Sequence, residues 1–184
     1  PVMQRNAGVL TRVEPHADGL AWVEIELDTP MQFLAGQFVL LRIDGVDGYR
    51  AYSPATDGSA SKRLCLVVRE AQQGAMSPKL CTPAAVGLKL EVLGPLGVAH
   101  VRTGQDQDMA VVAGGSGCSV ALAVIDWAEK SGHLHQHRID VVVGLRSTVN
   151  AAVLQRLSTA VQRWPERLGI TLAVSDPVQP GAPT

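Results

Sequence analysis

The chain has 184 residues, with 46% hydrophobic and 18% charged side chains and a formal net charge of −1, so it can bury a sizeable core. The near-neutral balance and absence of a basic block argue against a nucleic-acid-binding protein, and no run is long enough for a membrane span. Three cysteines, Cys65, Cys81 and Cys118, are odd in number and widely spaced, which speaks against a disulfide framework or an iron–sulfur cluster within the chain. With no signal segment at the start, these features point to a cytoplasmic protein.

From Val9 to about Val101 the sequence reads as strands and turns. The strand candidates are Gly8–Val13, Leu20–Leu27, Gln37–Ile43, Tyr49–Ser53, Leu64–Arg69 and Leu88–Leu93. Turn signals separate them, among them Asp18-Gly19, Asp28-Thr29-Pro30, Asp44-Gly45, Asp57-Gly58 and Gly94-Pro95. The spacing predicts a small antiparallel barrel or sandwich, with one short helix near Ser77–Cys81.

Within this half, Tyr49-Arg50-Ala51-Tyr52-Ser53-Pro54 holds both tyrosines of the chain. Alternation along a strand sends Arg50 and Tyr52 the same way. A fixed cation beside an aromatic ring suits a ligand with an anionic phosphate and a flat ring system. The residues alone leave open an ordinary strand end with a surface arginine and a packed tyrosine. Further on, Gly74-Ala75-Met76-Ser77 provides a glycine turn whose serine can cap the helix or donate to a phosphate.

After the polar linker Gly104-Gln105-Asp106-Gln107 the pattern changes. Met109–Ala113 is a short apolar run, followed by Gly114-Gly115-Ser116-Gly117 and a predicted helix over Cys118–Lys130. A strand over Ile139–Val143, a helix over Val149–Val161 and a strand over Ile170–Val174 complete a strand–helix alternation that signals a parallel sheet. The expected division is an antiparallel domain over residues 1–103 and a partial α/β domain over 104–184. Half of a dinucleotide-binding domain at the end, and Pro1 at the start, predict a piece of a longer polypeptide.

Glycines between a strand and a helix let the backbone approach a ligand, while the helix start offers free N–H groups to a pyrophosphate. Val120 stands where a third glycine would complete the usual fingerprint, and the second strand ends in Gly144-Leu145-Arg146-Ser147 rather than an acidic residue. Cys118 reads as a packed small residue, with an oxidation-sensitive thiol as the alternative. His133, His135 and His137 form an alternating run that reads as a solvated loop, with a metal site as the alternative.

Arg-x-Tyr-Ser, Gly-x-x-Ser, Gly-Gly-x-Gly and Gly-x-Arg in this order, with Ala35-Gly36-Gln37-Phe38 and Leu93-Gly94-Pro95-Leu96-Gly97, resemble the ferredoxin–NADP+ reductase-like flavin oxidoreductases, particularly the reductase components of bacterial oxygenases. The resemblance covers nearly the whole chain. It implies an N-terminal antiparallel β-barrel that binds flavin, followed by a parallel α/β nucleotide-binding domain cut short at its C-terminus. It also implies FAD, with FMN as the alternative, and NADH or NADPH as co-substrate. NADH is favoured by Asp176 and NADPH by Arg146 and Ser147. The implied activity relays electrons from the nicotinamide through the flavin to an iron–sulfur or haem partner.

By the same resemblance, Arg50 pairs with flavin phosphate, Tyr52 lies against the ring system, and Ser53 reaches its reactive edge. The backbone of Val67, Val68 and Arg69 and the turn Gly74, Ala75, Met76 and Ser77 hold the rest of the flavin nucleotide. Gly114, Gly115, Ser116 and Gly117 receive the nicotinamide dinucleotide, with Arg146 and Ser175 near its adenosine half. The family's usual proline is replaced by Val120. The competing reading is a catalytically silent domain that serves as a docking module in a larger assembly.

Overall fold

The computed structural model describes residues 1–16, 19–146 and 153–175. Its first half contains β1 (Gln4–Pro15), β2 (Leu20–Phe33), β3 (Phe38–Ile43), β4 (Arg50–Tyr52), β5 (Gly58–Arg69), the short helix α1 (Ser77–Leu80) and β6 (Lys89–Leu96). The strands form a six-stranded antiparallel sheet in the order β4-β3-β6-β1-β2-β5. Pro54, just past β4, bridges Leu66 of β5, so the curled sheet brings its two ends together. Alternate side chains fill its interior, including Leu10, Ile25, Phe33, Leu41 and Leu66, all 1% exposed or less.

The second half contains β7 (Met109–Gly114), α2 (Cys118–Ser131), β8 (Ile139–Leu145), α3 (Leu154–Arg163) and β9 (Leu168–Val174). The strands are parallel in the order β7-β8-β9. On β8, Ile139, Val141, Val143 and Leu145 are buried in the same core as residues of α2 and α3. The alternate positions Asp140 and Val142 are exposed, and Val112 of β7 is 82% exposed, so both crossover helices cover one face. The fold class inferred from sequence is the one found: an antiparallel barrel-like sheet, then a parallel α/β layer.

Two local expectations need correction. The Asp28-Thr29-Pro30 turn lies inside β2, which runs through it with a shifted register against β5 between Glu26 and Met31. Side chains replace the ladder there. Asn6 Nδ2 donates to the Thr29 carbonyl at 2.6 Å, the Thr29 N–H donates to Asn6 Oδ1 at 3.2 Å, and Gln4 Nε2 donates to the Pro30 carbonyl at 3.1 Å. The His133–His137 run is only partly a solvated loop: His135 and Gln136 are exposed, but His133 and Leu134 are buried. After α2 stops at Gly132, with φ of 76°, a short 3₁₀ turn over His133–His135 tucks His133 under Trp127 and against His137, at ring-centroid distances of 4.9 and 4.7 Å. His133 is 6% exposed, and among the described residues no group of three His, Cys, Asp or Glu side chains could hold a metal.

The helix expected over Val149–Val161 is described only from Val153 onward; α3 starts at Leu154 and continues to Arg163. Ser147 and Asp176, on which the nicotinamide preference turned, lie outside the described residues. No helix among the described residues is long and apolar enough to cross a membrane.

Candidate functional site

The segment that exits the barrel at β4 is built as an exposed cation beside a half-buried ring. Register with β3 pairs Tyr52 with Val39 and Arg50 with Leu41, which places both side chains on one face. The exposed Arg50 guanidinium donates through Nη1 to its own loop, to the carbonyls of Tyr49 at 2.9 Å and Asp47 at 3.4 Å. No carboxylate pairs with it among the described residues. The Tyr52 ring packs against the barrel core. Burial pushes its phenol above the ordinary value, reinforced by Cys81 and opposed by Arg50. Ser53 follows, half-buried.

Two more segments meet this strand. β5 is an edge strand whose Val67 and Val68 are buried while Arg69 is exposed. The Gly74–Ser77 turn folds onto the end of β5 because the Ala71 N–H donates to Ser77 Oγ at 3.0 Å. Ser77 therefore holds the preceding loop, and no side chain caps α1, whose N-cap is Met76. Behind it, Cys81 Sγ lies 4.0 Å from the Val68 carbonyl, and burial and Glu70 push the thiol up to about 11. The structure thus gathers Arg50, Tyr52, Ser53, the end of β5 and the 74–77 turn at one end of the barrel.

Across from them is the glycine turn. Gly115 has a left-handed φ of +54°, and a Cβ there would sit 2.7 Å from Arg69 Nη2. Nothing lies within 4 Å of where a Cβ on Gly117 would be. Ser116 and Gly117 are exposed at the start of α2. The sequence reading gave Arg69 a backbone role only; its side chain crosses from the barrel to the glycine turn. It also lines an open cleft of about 610 Å³ with Gly144, Leu145, Arg146, Ala173, Val174 and Ser175, at the C-terminal ends of β8 and β9. Arg146 and Ser175 are therefore brought together, with Arg69 as an unexpected third member.

The donor set fits a flavin nucleotide facing a dinucleotide. It offers an exposed guanidinium with no acidic partner among the described residues, a half-buried aromatic ring, a hydroxyl beside it, and a glycine turn open to backbone approach. Cys118 is wholly buried and packs in the core below the turn.

Residues 10–101 match the model of the oxidoreductase FAD-binding domain family. The chain belongs to that family. Among curated relatives, it is 36% identical over 118 residues to the phenol 2-monooxygenase reductase component DmpP of Pseudomonas sp. strain CF600, covering 64% of this chain and 33% of that protein. It is 25% identical over 174 residues to the ferredoxin–NAD(P)(+) reductase component of the naphthalene 1,2-dioxygenase/salicylate 5-hydroxylase systems of Ralstonia sp., covering 95% of this chain and 52% of that one. The cytochrome P450 reductase GcoB of Amycolatopsis has the same fold, with a TM-score of 0.85 at 24% identity over 97% of this chain and 54% of that structure. The chain spans between a third and about half of these proteins.

The matched FAD-binding segment holds Arg50, Tyr52, Ser53, Val67–Arg69 and Gly74–Ser77. The glycine turn, Arg146 and Ser175 lie beyond it. The Val67 N–H is already spent inside the protein, donating to Ser119 Oγ of α2 at 3.0 Å. Nothing in the sequence marked Ser119. It is the second residue of a helix whose apolar text gives no reason to single out one serine.

Proposed function

We propose that the chain forms the flavin and partial nucleotide-binding portion of a cytoplasmic NAD(P)H-dependent flavoprotein reductase, which passes electrons to an iron–sulfur or haem partner. The observation that carries this reading is the meeting of Arg50, Tyr52 and Ser53 with the end of β5 and the 74–77 turn, opposite the open Gly114–Gly117 turn. Relatives named as reductase or electron transfer components of oxygenases support the partner class. The functional division we assign is a flavin domain over residues 1–103 and a nucleotide domain over 104–184.

In this reading Arg50 neutralises phosphate charge, and Tyr52 presents its face to the flavin ring. Ser53 donates a hydrogen bond at the ring's reactive edge, and the 74–77 turn supports the pyrophosphate through its backbone. Gly114–Gly117 admits the dinucleotide backbone, while Arg69, Arg146 and Ser175 supply donors along the cleft. When bound, FAD supplies the chemistry of accepting a hydride and releasing electrons one at a time. We assign NADH as the donor on the basis of Asp176, with Arg146 as the residue that would admit NADPH.

The test is the visible spectrum of the purified protein, followed by acid release of the chromophore and reduction by each nicotinamide. A yellow protein that releases FAD and is bleached by NADH supports the assignment. Release of FMN would correct the cofactor. A colourless protein that refuses added flavin would favour a silent docking module, and a strong NADPH preference would reverse the donor assignment.

A further inference from the structure

The outward edge of β5 is taken up in succession by two different parts of the molecule. The Ala55 N–H, just past the Arg50–Ser53 segment, donates to the Cys65 carbonyl at 2.7 Å, and Pro54 bridges Leu66. One step further, the Val67 N–H donates to Ser119 Oγ at 3.0 Å. The other side of β5 is paired with β2, so this amide finds its partner only in the helix that follows the glycine turn. Ser119 is 1% exposed and Val67 is 3% exposed, which leaves bulk water no access to the bond.

Ser119 lies two residues after Gly117. A hydrogen-bonded path therefore runs from the exit of β4, through Ala55 and the edge of β5, to the start of α2 and the glycine turn. The other described contacts between the barrel and α2 with its glycine turn are adjustable. The side chains of Trp22, Ala55, Cys65 and Val67 meet α2 in an apolar cluster. Arg69 reaches Gly115 only with the far end of a flexible side chain. Two turns along α2, Asp126 accepts the Asp57 N–H at 2.7 Å, but that bond is only partly buried and is shared with Lys130. Ser119 makes a buried, directional contact at the glycine-turn end.

We infer that Ser119 is a positioning residue, whose buried bond to Val67 sets the separation between the flavin strand and the dinucleotide turn. The inference rests on the function proposed above. In that function a hydride, two electrons together, would pass from the nicotinamide to the flavin, with the balancing proton taken from solvent. Such a transfer needs the reacting atoms about 3–3.5 Å apart, and a displacement of about 1 Å can cost about a hundredfold in rate. Without the Ser119 oxygen the buried Val67 donor is orphaned, and the molecule relieves this by admitting water or by shifting α2 along β5.

Ser119→Ala and the volume-preserving Ser119→Cys remove the strong acceptor, while Ser119→Thr keeps an oxygen. The full polypeptide carrying each change should be compared by amide exchange at Val67, FAD content, dinucleotide affinity and single-turnover flavin reduction by NADH. The Ala and Cys variants should retain FAD and bind the dinucleotide within about threefold of the parent. Their Val67 amide should exchange at least about tenfold faster, and flavin reduction should slow about ten- to a hundredfold. Ser119→Thr should recover most of that rate.

Reduction within about twofold of the parent in Ser119→Cys, with the Val67 amide deprotected, would overturn the inference. So would a rate loss that merely tracks lost FAD. A parent protein that holds no FAD, or is reduced by neither nicotinamide, would instead remove the functional reading beneath it.

Discussion

Arg50 and Tyr52 share a strand face but have different tasks, and their substitutions should separate. The Arg50 guanidinium is exposed and, among the described residues, bonds two carbonyls of its own loop, so its removal leaves the barrel intact. A charge-assisted bond to phosphate is worth about 1.5–3 kcal/mol, so Arg50→Ala should weaken FAD binding about ten- to a hundredfold with an unchanged unfolding midpoint. Tyr52→Ala should change the flavin absorbance envelope as well as affinity, because the ring is lost from a half-buried position. Equilibrium titration with FAD, read by absorbance, checks both. Parent-like affinity and spectra in both variants would place the flavin elsewhere.

Gly115 poses a backbone question at the same scale. Its φ of +54° costs a side chain about 1–2 kcal/mol, while the clash with Arg69 Nη2 can be relieved by swinging that side chain away. Gly115→Ala should therefore destabilise the protein by about 1–2 kcal/mol and displace Arg69 from the turn. Dinucleotide affinity should fall more than FAD affinity, as paired titrations would reveal.

At the scale of elements, β2 shows how a strand survives a proline. Pro30 has no N–H for the ladder, and Asn6 compensates from the neighbouring strand by bonding both backbone groups of Thr29. Asn6→Ala should cost about 1–3 kcal/mol, measured by urea unfolding, while bound FAD remains in stoichiometric amount. A loss under about 0.5 kcal/mol would mean that water replaces the amide. The same pair shows where the sequence is opaque. Asp28-Thr29-Pro30 carries strong local turn chemistry, and its rescuer lies more than twenty residues earlier in the chain. The Gly114–Gly117 turn was legible because strand, glycines and helix are contiguous, and Arg50–Ser53 because its residue types alternate over a few positions. The His133 tuck and the Ser119 bond depend on packing between distant segments, which no local pattern records.

At the scale of the whole molecule, the two sheets are joined by a charged girdle around an aromatic ring as well as by Ser119. The guanidinium of Arg156 from α3 lies 3.6 Å from the centre of the Trp22 ring on β2, and Arg156 also pairs with Glu14 at 3.3 Å. The Trp22 indole donates to Glu24 at 2.8 Å, and Arg63 and Arg12 approach the same carboxylate at 2.8 and 3.5 Å. Glu24 thus fixes the indole that receives Arg156. Burial raises its pKa, but the hydrogen bonds from Trp22 and Arg63, with the charges of Arg63 and Arg12, outweigh burial and hold it below the ordinary carboxylate value. A carboxyl depressed in the folded state contributes stability above its unfolded pKa and loses that contribution as pH falls through the folded one. Glu24→Gln keeps an oxygen for the indole and discards the charge. It should be less stable than the parent by about 1–2 kcal/mol at neutral pH, with the difference shrinking toward zero as pH falls below the carboxylate range. Urea unfolding of both proteins across the acid range measures that difference directly. A gap that stayed constant with pH would mean that Glu24 acts through shape and hydrogen bonding, and that its charge does not hold α3 against the barrel.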